Sequence, residues 1–148
     1  MSDFVKAEQV FLDNPASTVD EALEFLANKA AEAGLATDAA SALAAFKERE
    51  AMGTTGMQSG FAIPHCKSAA VNDAAIYVVK FAGDVEWESM DGKPIKVAIA
   101  LFAPDGDVHL SLLSQVAIML MDGKFQEKIL ASNDAAEIAA TINAGLGA

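Results

Sequence analysis

Lys96-Val-Ala-Ile-Ala-Leu-Phe102 is an unbroken apolar run behind one leading charge, and Ala75-Ile-Tyr-Val-Val-Lys-Phe81 is its counterpart upstream. Both are dense in β-branched and aromatic residues and read as the two best strands of the chain. Working outward, the periodicity turns helical. Thr18-Val-Asp-Glu21 reads as a capping box, with Val19, Ala22, Leu23, Leu26 and Ala30 on one apolar face and Gly34 as the stop. A second helix is expected over 38–52 with Leu43 and Phe46 inward. A third is expected over 108–121 with Leu112, Leu113, Val116, Ala117 and Leu120 on one side, ended by Asp122-Gly123. Further helices are expected over 125–130 and 134–142, the latter behind a Ser132-Asn133 cap. Residues 53–60 form a loop by composition, 61–63 a short strand running into Pro64, 85–87 another short strand, and Asp91-Gly92 a turn. Helices before, between and after strands predict an α/β fold: a single domain over 1–148, with a mixed β-sheet flanked by helices on both faces. Strand order is not legible from this pattern.

Composition narrows the function classes. A chain of 148 residues, 53% hydrophobic, is long enough to bury a core without disulfides or metal. Its single cysteine, Cys66, excludes an intrachain disulfide, and there is no CxxC pair for zinc. A formal net charge of −11 argues against nucleic-acid binding, which needs clustered Lys and Arg. The same acidity suits a basic protein partner. No run of about eighteen apolar residues suggests a membrane span, and residues 1–13 are acidic and broken by polar side chains, unlike a signal peptide. The expected location is cytoplasmic.

Chemistry concentrates in Gly60-Phe-Ala-Ile-Pro-His-Cys-Lys67. Pro64 has a fixed φ and no N–H, so it is expected to end ladder pairing and stiffen the backbone before His65. A histidine held at a strand end can present one ring nitrogen to a reactant; the bland alternative is an ordinary loop histidine. His109 is expected in the first turn of the 108–121 helix behind an Asp107 N-cap, on the apolar side, where the helix dipole favours phosphate and disfavours imidazolium. Its alternative is a half-buried capping residue. Arg49 can hold a phosphate through its guanidinium fork, or simply sit as a solvated cation at a helix end. Thr54, Thr55, Gly56, Ser59 and Gly60 offer hydroxyls and amides, but no GxxxxGK[ST] nucleotide loop is present, and two histidines alone make a poor metal site. Cys66 beside His65 should point to the opposite face, which argues against a working thiol–imidazole pair. Trp87 and Phe81 are expected as core aromatics.

Taken together, Arg49-Glu50, Thr55, Gly60-Phe-Ala-Ile-Pro-His65 and His109-Leu-Ser-Leu-Leu-Ser-Gln-Val-Ala117 resemble the signature blocks of the enzyme IIA component of the bacterial sugar phosphotransferase system, fructose/mannitol class. The resemblance runs over nearly the whole chain. It departs at Gln58 and Cys66, where glycine or alanine is commoner; the first is expected to stiffen the approach loop, the second to alter packing behind His65. The resemblance implies that His65 accepts a phosphoryl group from phospho-HPr and passes it to a cysteine of the sugar-specific IIB component. Through IIB it would associate with a membrane IIC complex, without inserting into the membrane itself. It further implies that Arg49 offsets phosphoryl charge, that His109 hydrogen-bonds the phosphoryl oxygens, and that neither metal nor other cofactor is needed. HPr relatives present a basic patch, in keeping with this chain's acidity. Three other readings compete: a nitrogen-branch regulator that binds target proteins according to His65 phosphorylation, a non-catalytic interaction domain with structural histidines, and a thiol enzyme using Cys66.

Overall fold

In the computed structural model, residues 5–146 are described. The strands are β1 (Val10–Asn14), β2 (Phe61–Ala62), β3 (His65–Lys67), β4 (Ala75–Val85) and β5 (Ile95–Ala103). The helices are α1 (Val19–Glu32), α2 (Ala39–Ala51), α3 (Gly106–Leu120), α4 (Gly123–Ala131) and α5 (Ala135–Leu146). One mixed sheet runs β1-β4-β5, with β2 and β3 both on the outer edge of β5. β1 is parallel to β4, β4 antiparallel to β5, and β2 and β3 parallel to β5.

The two apolar runs are buried because both faces of the sheet are covered. Tyr77, Val79, Ala98, Ala100 and Phe102 point to α1 and α2, where Leu23, Leu26 and Phe46 meet them. Ile76, Val78, Val97, Ile99 and Leu101 point the other way, against Leu112 and Val116 of α3, Ile129 of α4, and Ile138 and Ile142 of α5. Alternation with period two sends neighbouring residues to two separate cores, which explains why neither run shows a polar face.

Several local expectations shift. Thr18 caps α1 by accepting from the Glu21 amide at 3.2 Å, and the Glu21 carboxylate in turn accepts most closely from the Ser17 amide, at 2.9 Å. Gly34, at φ +76°, closes the helix with the Leu35 amide donating to the Ala30 carbonyl, a left-handed stop suited to glycine. On α2, Ala42 and Phe46 are buried while Leu43 is only half-buried; α2 opens on Asp38, whose side chain accepts from the Ser41 amide at 2.6 Å. Likewise Leu112, Val116 and Leu120 are the buried face of α3, with Leu113 and Ala117 at its margin. That helix starts earlier than 108: the cap is Asp105, accepting from the Asp107 amide, not Asp107 itself. α5 is capped by Asp134, not by Ser132-Asn133. Residues 85–87 are not a separate strand. Val85 ends β4 beyond a register shift, Glu86 makes an isolated bridge to Thr18, and Trp87 tucks in, 5% exposed, as a core aromatic.

β1 has no strand signal of its own in the sequence. Val10-Phe-Leu-Asp-Asn14 is too short and too polar at its end to signal a strand, with Asp13 at φ +51°; it becomes one by pairing with β4.

Candidate active site

Pro64 interrupts edge pairing without ending it. The Ile63 amide turns away to the Thr55 carbonyl (3.0 Å), while the Pro64 carbonyl still accepts from the Leu101 amide (2.9 Å). Pairing then resumes with His65 opposite Leu101 and Cys66 opposite Phe102. His65 is therefore a strand residue, its backbone held along β5 by pairing before and after it, rather than one placed after a strand end.

Because Leu101 belongs to the α3 face and Phe102 to the α1/α2 face, His65 and Cys66 face opposite ways. His65 meets the first turn of α3, where its ring lies edge-to-face with His109, centroids 4.6 Å apart. Cys66 is buried against α2, its Sγ 3.6 Å from the Ala42 carbonyl, and burial pushes the thiol up to about 12. A protonated, enclosed thiol on the far face is not placed to pair with the His65 imidazole.

His65, His109 and Arg49 converge on one cleft of about 310 Å³, together with Lys67, Glu48 and Met52. His65 is 7% exposed, and Nδ1 of both imidazoles is buried with no hydrogen-bond partner. Burial, then the neighbouring His109 and Arg49, pulls His65 down to about 3, so its ring is neutral at physiological pH. His109 is also held below the ordinary histidine range, by burial first and then by Lys67 and Arg49. The site thus presents uncharged imidazoles among cations, an arrangement suited to an incoming anion.

Arg49 is fixed by its own helix end: Nη1 donates to the Gly53 carbonyl at 2.6 Å. Its neighbour Glu50 anchors the 53–60 segment, a role with no local signal in the sequence because its partners include the distant Trp87. The Glu50 carboxylate accepts from the Thr55 amide (3.0 Å), the Thr55 hydroxyl and Trp87 Nε1 (3.2 Å). Thr55 in turn holds the Ile63 amide, so Glu50 ties α2 to the segment leading into His65. Gly56 packs so closely on the 88–89 backbone that a β-carbon there would lie 2.0 Å from the Glu88 carbonyl. The 53–60 segment is thus a clamped support, not an open phosphate cradle. The Ser59 amide, for instance, is taken by Asp91 at 2.9 Å. Lys67 also lines this cleft; its position two residues after His65 on a strand puts both on one face, which is the signal for it in the sequence.

Among the described residues no group of three or more His, Cys, Asp or Glu side chains is placed to hold a metal, and no helix is long and apolar enough to cross a membrane.

A family model, "Phosphoenolpyruvate-dependent sugar phosphotransferase system, EIIA 2", matches residues 3–145. The fructose-specific EIIA component of Haloferax volcanii is 35% identical over 132 residues, covering 88% of this chain and 86% of that protein. A nitrogen regulatory protein of Bradyrhizobium diazoefficiens is 32% identical over 140 residues, covering 93% and 91%. Among solved structures, nitrogen regulatory protein IIA-Ntr from Neisseria meningitidis superposes with a TM-score of 0.85 at 25% identity, covering 94% of this chain and 96% of its own. Escherichia coli enzyme IIAMTL, solved in complex with phosphorylated enzyme IIBMTL, superposes with a TM-score of 0.80 at 18% identity, covering 93% and 96%. The chain belongs to the EIIA 2 family of the phosphoenolpyruvate-dependent sugar phosphotransferase system, the fructose/mannitol class of IIA components. Proteins of this family are phosphotransferase components.

Proposed function

We propose that the chain is one cytoplasmic phosphocarrier domain in which His65 takes a phosphoryl group from the phosphohistidine of HPr. It then gives that group to a cysteine of a IIB component that serves a membrane IIC complex in sugar uptake. The observation that carries this reading is a neutral, strand-held His65 imidazole packed on His109 within a cleft that also receives Arg49. With Nδ1 of His65 buried, Nε2 is the reacting nitrogen. Its lone pair forms the new N–P bond as the donor's N–P bond breaks and that electron pair returns to the donor ring; each imidazole keeps the proton on its other nitrogen. Such a loose transfer needs alignment and charge stabilisation more than covalent help. β5 supplies alignment through the His65 and Pro64 backbone. Arg49 offsets charge on the phosphoryl oxygens, and neutral His109, at a helix N-terminus, donates to them. Passage onward to a IIB cysteine is supported by the likeness to IIAMTL bound to phosphorylated IIBMTL. No metal or other cofactor enters this scheme.

The test is intact-protein mass after mixing with enzyme I, HPr and phosphoenolpyruvate. One acid-labile gain of about eighty daltons, absent in His65→Ala, is the expected outcome; no gain beside an active control overturns the reading. A second reading, a regulator that binds target proteins according to its phosphorylation state, is favoured by the nitrogen regulatory relative and by the IIA-Ntr likeness. It predicts a stoichiometric complex with a protein other than IIB that forms with only one of the two phosphorylation states.

A further inference from the structure

We propose that Lys67 is a second phosphoryl-binding cation of this site, contacting the oxygens of the transferred group on His65 alongside Arg49. The proposal rests on the phosphocarrier reading above and adds a residue to it.

Lys67 follows His65 by two positions on β3, so both side chains leave the same face of the sheet. It lines the cleft with His65, His109 and Arg49. Its alkyl stem runs over the start of α3: a β-carbon built on Gly106 would lie 4.0 Å from Lys67 Cδ. The stem is thereby led toward the helix end that carries His109. The charge is felt there, since Lys67 stands ahead of Arg49 among the charges that disfavour His109 protonation.

Among the described residues neither Lys67 nor Arg49 has a carboxylate within ion-pair distance; the salt bridge found is Lys29–Glu32, far along α1. Glu48 lines the cleft without pairing to either. In a chain with 21 acidic and 10 basic residues, two cations without an ion-pair partner share a cleft with uncharged imidazoles, an arrangement that favours an anion there. A phosphoryl group on His65 is the anion this cleft is built around. Arg49 reaches it from α2 and Lys67 from the sheet edge, so the two divide its oxygens. An edge-strand lysine also discourages strand pairing between molecules, a role that any cation there would fill and that phosphate chemistry would not register.

The experiment uses two donors, phospho-HPr and the small molecule phosphoramidate. Phosphoramidate loses ammonia with the electron pair of its P–N bond and requires no protein docking. Wild type, Lys67→Gln, Lys67→Arg and the exposed α2 control Lys47→Gln are compared. The expected result is about tenfold slower phosphorylation of Lys67→Gln from both donors, largely restored in Lys67→Arg and unchanged in Lys47→Gln. The 31P titration of the phosphorylated protein should also move to higher pH in Lys67→Gln, because a lost cation makes protonation easier. Wild-type rates from phosphoramidate with an unmoved 31P titration overturn the proposal, even if transfer from phospho-HPr slows, since that pattern marks docking alone. If wild type accepts phosphate from neither donor, the carrier reading fails first and this proposal with it.

Discussion

The His65 imidazole stands edge-to-face to that of His109, 4.6 Å between ring centroids and 67° between planes, although one hangs from a sheet edge and the other from a helix start. The contact exists because β3 pairs with β5 and the chain leaves β5 directly into α3. Each ring dries the other, and each remains uncharged. Such a pair is chemically useful only while neither ring protonates, because two imidazolium ions at that distance would repel strongly.

Removing His109 should therefore change both rate and titration. His109→Ala is expected to slow phosphoryl acceptance by about 10- to 100-fold, as for loss of one preorganised donor. His109 depresses His65, so the His65 titration should move upward in the variant. Two-dimensional NMR of the imidazole resonances measures this. An unmoved His65 midpoint would count against the contact having electrostatic weight.

Arg49 tests fork geometry against charge. Arg49→Lys keeps a cation but not the planar fork that grips the Gly53 carbonyl. It should retain only part of the transfer rate, while Arg49→Gln loses more and raises both histidine midpoints. Equal rates for Lys and Gln would assign Arg49 to loop anchoring alone.

Glu50→Gln exchanges one acceptor oxygen for a donor where Thr55 and Trp87 both donate. A stability loss of about 1–3 kcal/mol is expected from the unsatisfied donor, together with a shift in Trp87 fluorescence. Urea unfolding followed at Trp87 reads both. Transfer should fall less than in Arg49→Gln, because Glu50 acts through Thr55 and Ile63 and does not face the cleft.

Acid should destabilise the fold through His65. The unfolded ring titrates near 6.5 and the folded ring near 3. Between those values the unfolded chain binds a proton that the folded chain refuses, so stability rises with pH and is lost on acidification through this window. The slope from one such group is at most about 1.4 kcal/mol per pH unit, and His109 adds in the same direction. Urea midpoints of wild type at pH 7 and pH 4.5 should differ more than those of His65→Gln; parallel behaviour would remove His65 as the cause.

Cys66→Ala should leave phosphoryl transfer intact and cost about 1 kcal/mol in packing. The native thiol, raised to about 12, should resist a disulfide reagent until the protein unfolds. Loss of transfer in this variant would bring the thiol back into the chemistry.

Local signals in this chain are strong wherever the causes are local. Thr18 and Asp38 announce their helices because capping is a contact between near neighbours. The 75–81 and 96–102 runs announce strands because both their faces must be buried. The blocks around Arg49, His65 and His109 were visible as residue types in order. By itself the sequence determined the starts of α1 and α2, the two central strands and the candidate nucleophile, all set by side-chain chemistry within a few residues, whereas α3 and α5 take their caps from Asp105 and Asp134, competing acceptors a residue or two from the expected ones. Tertiary structure decided what depends on distant partners. β1 forms only against β4. His65 joins a strand only because β5 lies beside it. Glu50 finds Trp87 across the fold, and Lys67 acquires a purpose from the start of α3. Backbone hydrogen bonds between strands and unpaired charges in a cleft are properties of neighbours in space, which no local pattern encodes.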